Sequence, residues 1–378
     1  MPGFRVEIGP ERMVLADGLQ PFILRARDKT IVVQAQLQLP PHTKTARDVF
    51  PAVPGTVISR DCGKSWKRWM PEPAHGMGPF FEGSATQLSD GTIILLEWVA
   101  SGPSTEGLYT GKLWKSNDDF ETLKGPFPAI FQLPQGRGDG CDDSGNPCSG
   151  FILHRTLLET QTGELIATVY CWFKEDASRC PYMPTMFKFR CILVRSCDRG
   201  STWEYVSTIA VGPEYGEEGF NEPVMVRIST GPKKGRFVCL MRTGKCDHHI
   251  FEAHSDDSGI TWSAPQMMPF MGVDPDLIEM ADGTLVCSFG RRTAAAHLQD
   301  KEDPAHGNYI VLSKDSGGTW SEPIHIPIDP YSGTKMTTCY TSIAEIEPGV
   351  LIMFYDIGRW GSPIRYIASR TIKISQNG

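Results

Sequence analysis

The stretch SDDSGITW, Ser255–Trp262, decides how the rest of the chain is read, because it recurs. Near copies stand at SRDCGKSW (Ser59–Trp66), SCDRGSTW (Ser196–Trp203) and SKDSGGTW (Ser313–Trp320), and a worn one, SNDDFETL, at Ser116–Leu123. In such a run the Ser and Asp side chains bond nearby backbone N–H groups, the Gly supplies φ > 0 and the Trp packs on a neighbour. The pattern predicts a recurrent tight turn, a structural device and not a reactive one.

Working outward from each copy, the same order returns: apolar strand, DGT-like turn, second strand, polar excursion, third strand, the octapeptide, fourth strand. It shows in FILRARDKTIVVQAQ, SATQLSDGTIILLEW, RTLLETQTGELIATVY, VMVRISTGPKKGRFVCLMR, DLIEMADGTLVCSFGRR and SIAEIEPGVLIMFYD. Each predicts a four-stranded antiparallel sheet too small to bury a core alone, so the sheets should pack radially. The expected fold is all-β, a six-bladed β-propeller filling residues 1–378 as one domain, with seven blades the alternative. The strand in FRVEIGPERMVLA should complete the last blade.

Bulk composition narrows the partners. The 378 residues carry a net charge of -7 with no Lys/Arg block, which argues against nucleic acid. No apolar run of about 18 residues is present to span a membrane, and MPGFRVEIGPER lacks an apolar leader core, so a cytosolic chain or a trimmed secreted one is expected. Eleven cysteines is an odd count; Cys239 and Cys287 fall in strand-like runs as buried thiols, while Cys141 and Cys148 in GDGCDDSGNPCSG are spaced to close a disulfide. Cys246, Asp247, His248 and His249 are adjacent, and neighbouring strand side chains point to opposite faces, so no metal site is expected. A monomer without metal or cofactor is the expectation.

Aligning the units on their DGT-like turns places Gln20, Glu82, His154, Glu222, Asp274 and Tyr340 at one equivalent position, the start of each innermost strand. Six polar groups converging on one axis point to a site. The ends of the neighbouring strands add Gln36, Trp98, Tyr170, Arg242, Gly290 followed by Arg291 and Arg292, and Asp356. Carboxylates, His and Tyr can move protons or attack carbon, Arg can hold an anion and Trp98 can stack on a sugar. The long stretches 133–150 and 172–188 should wall this basin into a pocket.

The motif S-x-D-x-G-x-[ST]-W at this spacing resembles the Asp-box of the sialidase superfamily, across nearly the whole chain. That resemblance implies a glycan substrate and two chemistries. In the first, Tyr340 in CYTSIAEIEPG is similar to the sialidase nucleophile, Glu222 in FNEPVMV to the residue that deprotonates it, and Arg242 in MRTG to one arm of the carboxylate-binding arginine triad. The sialidase Phe-Arg-Ile-Pro is replaced by GLQP, which puts Leu19 where the first triad arginine stands and forfeits a charge-assisted bond worth about 1.5–3 kcal/mol.

In the second, FILHRTLLETQTGELIATVYCWFK and FRCILVRS resemble the propeller polysaccharide lyases, the ulvan lyases and the fungal rhamnosyl-glucuronate lyases. There β-elimination at a glucuronate would use His154 and Tyr170 as base and acid, or His75 in EPAHGMG as base, with Arg190, Arg242 and Arg291 on the carboxylate. Release of a terminal sugar such as rhamnose from an acidic oligosaccharide or polysaccharide by this lyase route is the preferred expectation. The Tyr340–Glu222 hydrolase is the alternative, and a binding propeller without catalysis the third. Glu82, Asp274, Gln20 and Trp98 complete the expected substrate-binding set.

Overall fold

The computed structural model describes residues 4–376, apart from 28, 39–51, 70–78, 81, 83, 106, 142–144 and 146. It is all-β; among the described residues the single α-helix is Ala294–Gln299. Three antiparallel sheets have the expected four-strand order. They run Leu19–Arg25 to Lys67–Arg68, Asn221–Arg227 to Gln266–Met271, and Val273–Glu279 to Ile324–Ile326. Another joins Thr341–Glu347, Val350–Gly358 and Arg365–Gln376, and on this last strand both Phe4–Ile8 and Arg12–Ala16 pair. The N-terminus thus closes the sheet begun by the C-terminus.

The second and third units run together in one nine-stranded sheet. Phe151 and Ile152 pair with Ala100 and Val99, and Ile130–Gln132 lies parallel to Thr202–Glu204. The innermost strands nonetheless form a closed circuit: Leu19–Arg25 touches Ala85–Gln87, followed in turn by Phe151–Glu159, Asn221–Arg227, Val273–Glu279, Thr341–Glu347 and Leu19–Arg25 again. Sheets are thereby arrayed around an axis in the manner of a β-propeller.

Each octapeptide forms the same knot. Ser255 Oγ donates to Asp257 Oδ1 at 2.8 Å and accepts from Gly259 N at 2.9 Å, while Thr261 N donates to Asp257 Oδ1 at 2.9 Å. The worn copy keeps it, with Phe120 N on Ser116 Oγ at 3.0 Å and Thr122 N on Asp118 Oδ1 at 2.9 Å. The Thr261 and Ser255 bonds hold the Asp257 carboxyl down at about 2. Trp203 seals a seam between units, stacked on Phe131 with centroids 5.6 Å apart.

A second device links the inner strands. A carboxylate or amide four residues before the turn glycine accepts a backbone N–H from the preceding unit. Arg27 N donates to Gln87 Oε1 at 2.7 Å, Ser89 N to Glu159 Oε2 at 2.6 Å, Ser229 N to Glu279 Oε2 at 2.7 Å and Ala281 N to Glu345 Oε2 at 2.7 Å. At the opposite end of these strands the pairing slips, between Leu19 and Phe22, Leu153 and Leu157, Asn221 and Val224, and Val273 and Asp276. The slip coincides with positive φ at Gln20 (55°), Arg155 (55°), Glu222 (42°) and Asp274 (49°), and Glu82 (35°) and Cys339 (69°) adopt it at the equivalent places. Such a bulge re-aims a side chain, here towards the axis, and a non-glycine residue adopts it only where the surroundings hold it.

Cys141 and Cys148, whose spacing would allow a bridge, are not joined; no disulfide is present among the described residues. Cys141 sits on a short hairpin with its thiol 3.6 Å from Thr185 Oγ1, directed at a neighbouring hairpin. Cys239 and Cys287 are buried, and burial raises both thiols.

Candidate active site

The bulged ends of the inner strands surround a pocket of about 210 Å³. Gln20, Glu82, His154, Glu222 and Tyr340 line it from the predicted ring, and Gln36, Trp98 and Tyr170 from the neighbouring strands. A wider cavity of about 720 Å³ opens where the inner strands end, but its carboxylates Glu159, Glu279 and Glu345 already accept backbone N–H groups. The smaller pocket, which gathers Glu82, His154, Glu222 and Tyr340, is the candidate site.

Its centre is Glu222. Oε1 accepts the Tyr340 hydroxyl at 2.5 Å and Arg242 Nη1 at 2.6 Å, and Oε2 accepts Asp274 N at 2.9 Å. Burial works to raise this carboxyl, but Arg242, His154, the Tyr340 hydrogen bond and Arg292 outweigh it and hold it at about 2. The surrounding cations and the Tyr340 hydroxyl thus favour the ionised form of Glu222 in the resting site. Arg292 lies over the Tyr340 ring, its guanidinium 5.4 Å from the centroid, while donating to Thr338 O at 2.6 Å. Across the pocket Glu82 accepts from Gln36 Nε2 at 3.3 Å.

Beneath the pocket floor Arg155 ties the axis together. It pairs with both oxygens of Asp274, donates to Ser342 Oγ at 2.9 Å, and stacks on Phe22 at 4.8 Å. Asp274 is fully buried, accepts Thr341 N at 3.0 Å and stands 3.4 Å from His154 Nε2. His154 Nδ1 lies 3.3 Å from Pro223 O. The walls above include Lys245, Arg292 and His297. Burial, with Arg292 and Lys245, pushes the His297 imidazole down to about 3, so it is neutral there.

The profile of a BNR repeat-like domain matches residues 82–345. The chain belongs to the BNR repeat-like domain family. Among curated protein sequences none matches it. Solved structures do. A Dyadobacter fermentans protein of unknown function is 20% identical with a TM-score of 0.70, covering 99% of this chain and 100% of its own. The Fusarium graminearum α-L-arabinofuranosidase Arb93A is 12% identical with a TM-score of 0.63, covering 96% and 97%. The Streptococcus pneumoniae NanB sialidase is 12% identical with a TM-score of 0.58, covering 100% of this chain and 71% of its own. At these identities the likeness is one of fold.

Within this BNR-repeat fold, not every predicted residue reaches the pocket. Arg190 does not: it pairs with Asp176 and Glu175 and stacks on Phe173 at 4.1 Å. Arg291 points outward, 3.8 Å from Asp247, and its neighbour Arg292 takes the place by the Tyr ring. Arg242 is fully buried and spent on Glu222, Glu218 and the Gly244 carbonyl, so it grips the carboxylate and does not face a ligand. Asp274 likewise lies under the floor, held by Arg155. His75 lies outside the described residues. His248 pairs with Glu217 at 3.2 Å and His249 with the Met268 carbonyl at 2.7 Å, and no metal-ligand cluster occurs among the described residues.

Sequence reasoning missed Arg155, Lys245, His297 and Trp360. Arg155 follows His154 directly, and strand alternation alone would send it away from the axis. The bulge turns it inward instead. His297 and Trp360 come from the helix Ala294–Gln299 and a turn outside the sheets, where the repeat offers no register.

Proposed function

We propose that this protein is a glycoside hydrolase that removes the terminal sugar of an oligosaccharide with retention of anomeric configuration. The observation that carries it is the Tyr340–Glu222 hydrogen bond of 2.5 Å inside a small pocket. A hydroxyl hydrogen-bonded to a carboxylate that is ionised in the resting site has a base beside it to accept its proton as it attacks. The structurally similar arabinofuranosidase and sialidase, which act on glycosides, support a carbohydrate-active enzyme.

In this reading Glu222 takes the hydroxyl proton as the Tyr340 oxygen attacks the anomeric carbon. The bond to the leaving oxygen breaks, and Glu82 protonates that oxygen. A water deprotonated by Glu82 then attacks the same carbon, Tyr340 departs and recovers its proton from Glu222. Two displacements restore the configuration. Arg292 beside the ring favours the developing phenolate, and Arg242 with the Asp274 N–H keeps Glu222 in place.

The lyase preference gains no support. Arg190 and Arg291, two of the three arginines assigned to neutralise a uronate carboxylate and so acidify its C5 proton, do not line the pocket, and among the described lining residues the Lys and Arg side chains are Lys245 and Arg292. With Leu19 and a spent Arg242 the three-armed clamp is not assembled either, and a carboxylate is not required of the sugar. We further read the nine-stranded sheet as two blades, which makes one six-bladed propeller over residues 1–378. The support is the closed circuit of innermost strands and the positive-φ residue in or just before each of them.

Incubation with neutral and acidic oligosaccharides, scored for release of free terminal sugar, tests the assignment. Release abolished by Tyr340→Phe is expected; a panel left intact contradicts it.

A further inference from the structure

Trp360 lines the pocket and is still 39% exposed. A large ring left in water is ordinarily free to move, yet this one is carried on a turn fixed at several points. Gly358 N donates to Met336 O at 2.7 Å. Its φ of 104°, with the Ile364 carbonyl 2.1 Å from where a Cβ would stand, admits only glycine. Arg359 pairs with Asp300 at 2.6 Å, Ser362 N closes the turn on Arg359 O at 3.0 Å, and Arg365 Nε binds Asp17 at 2.6 Å. The turn also adjoins a second exposed aromatic. A Cβ on Gly333 would lie 3.0 Å from Ile364 Cδ1, so the segment bearing Tyr331, 97% exposed, abuts it.

The pocket itself is small. At about 210 Å³ it falls below the roughly 300–1,000 Å³ of sites for larger ligands and has room for one sugar ring. Trp98, packed on Phe80 with centroids 5.8 Å apart, belongs to the inner wall. Whatever follows the first sugar in a chain must lie at the mouth, where Trp360 is held.

We propose that the Trp360 turn is an aglycone platform: the indole face receives the C–H face of the second sugar of a chain whose terminal sugar fills the pocket. The platform rests on the reading of the pocket as a sugar site, and it makes the protein selective for a carbohydrate leaving group. Because the backbone of the turn is already fixed, only the ring's own rotamers remain to be ordered on binding, and the contact costs less entropy than one carried on a loose loop.

The test uses the full chain carrying Glu222→Gln, so that substrates bind without turnover. Affinities are measured by titration for arabinose against α-1,5-arabinobiose, and for N-acetylneuraminic acid against 3′-sialyllactose. In one pair the longer saccharide should bind about tenfold more tightly, with Trp360→Ala removing the difference and Trp360→Phe keeping part of it. A preference that survives Trp360→Ala, equal affinities within both pairs, or no binding at all overturns the platform. Hydrolysis by the native enzyme with binding blind to chain length would leave the hydrolase standing and the platform refuted. A Trp360-dependent preference with no hydrolysis would do the reverse.

Discussion

Tyr340 and Glu222, 118 residues apart in the chain, meet across the axis with the phenol hydroxyl 2.5 Å from the carboxylate oxygen. Neither residue is reactive alone. Removing either half, by Tyr340→Phe or Glu222→Gln, should lower kcat by roughly 10²–10⁴-fold; Tyr340→Phe should do so with little change in thermal melting, whereas Glu222→Gln also lowers melting because it uncouples the buried Arg242. Steady-state kinetics on a cleaved oligosaccharide, alongside circular dichroism, would show it. Turnover near the native value in Tyr340→Phe would exclude the nucleophile.

Arg242 acts on stability as well as chemistry. Its guanidinium is fully buried between Glu218 and Glu222. Arg242→Ala strands two buried carboxylates and should cost about 3–5 kcal/mol in urea unfolding. If the loss were under about 1 kcal/mol, comparable to an exposed pair, the ion-pair account of the floor would be wrong.

Glu252 predicts a pH effect far from the pocket. Burial raises its carboxyl from 4.5 to about 7, although Trp320 Nε1 donates to it at 3.0 Å. The folded chain therefore holds a proton there that the unfolded chain releases, and stability from this group is full below about 4.5 and lost as pH rises through about 7. Buried histidines such as His297, whose imidazoles are pushed down, pull the opposite way in the same range. The comparison that isolates Glu252 is with Glu252→Gln, which keeps an acceptor for Trp320. Gln should gain on the native protein as pH rises from 4.5 to 7, by roughly 3 kcal/mol at the upper end. Parallel melting curves across that range would refute the raised carboxyl.

Much of the architecture was legible because it repeats. The octapeptides set a register, and that register brought Gln20, Glu82, His154, Glu222 and Tyr340 onto one pocket from five separate repeat units. The errors came where the register stops describing geometry. Arg155 was overlooked because a bulge turns the chain after His154, and Arg291 was chosen over Arg292 because the strand ends between them. Arg242 was read as one arm of a ligand clamp, whereas its guanidinium binds Glu222 and Glu218. Spacing shows that two residues are near, but not that the guanidinium is already consumed by Glu218. Trp360 and His297 lie in segments that occur once, and no periodic argument reaches them.

The most direct test of the account is proton NMR of both products of a cleaved oligosaccharide, the sugar first released and the saccharide left behind, followed in time. The account predicts a saturated sugar that appears first with the anomeric configuration of the substrate and only later equilibrates. A product bearing a double bond between C4 and C5, or one that appears first as the opposite anomer, would contradict it.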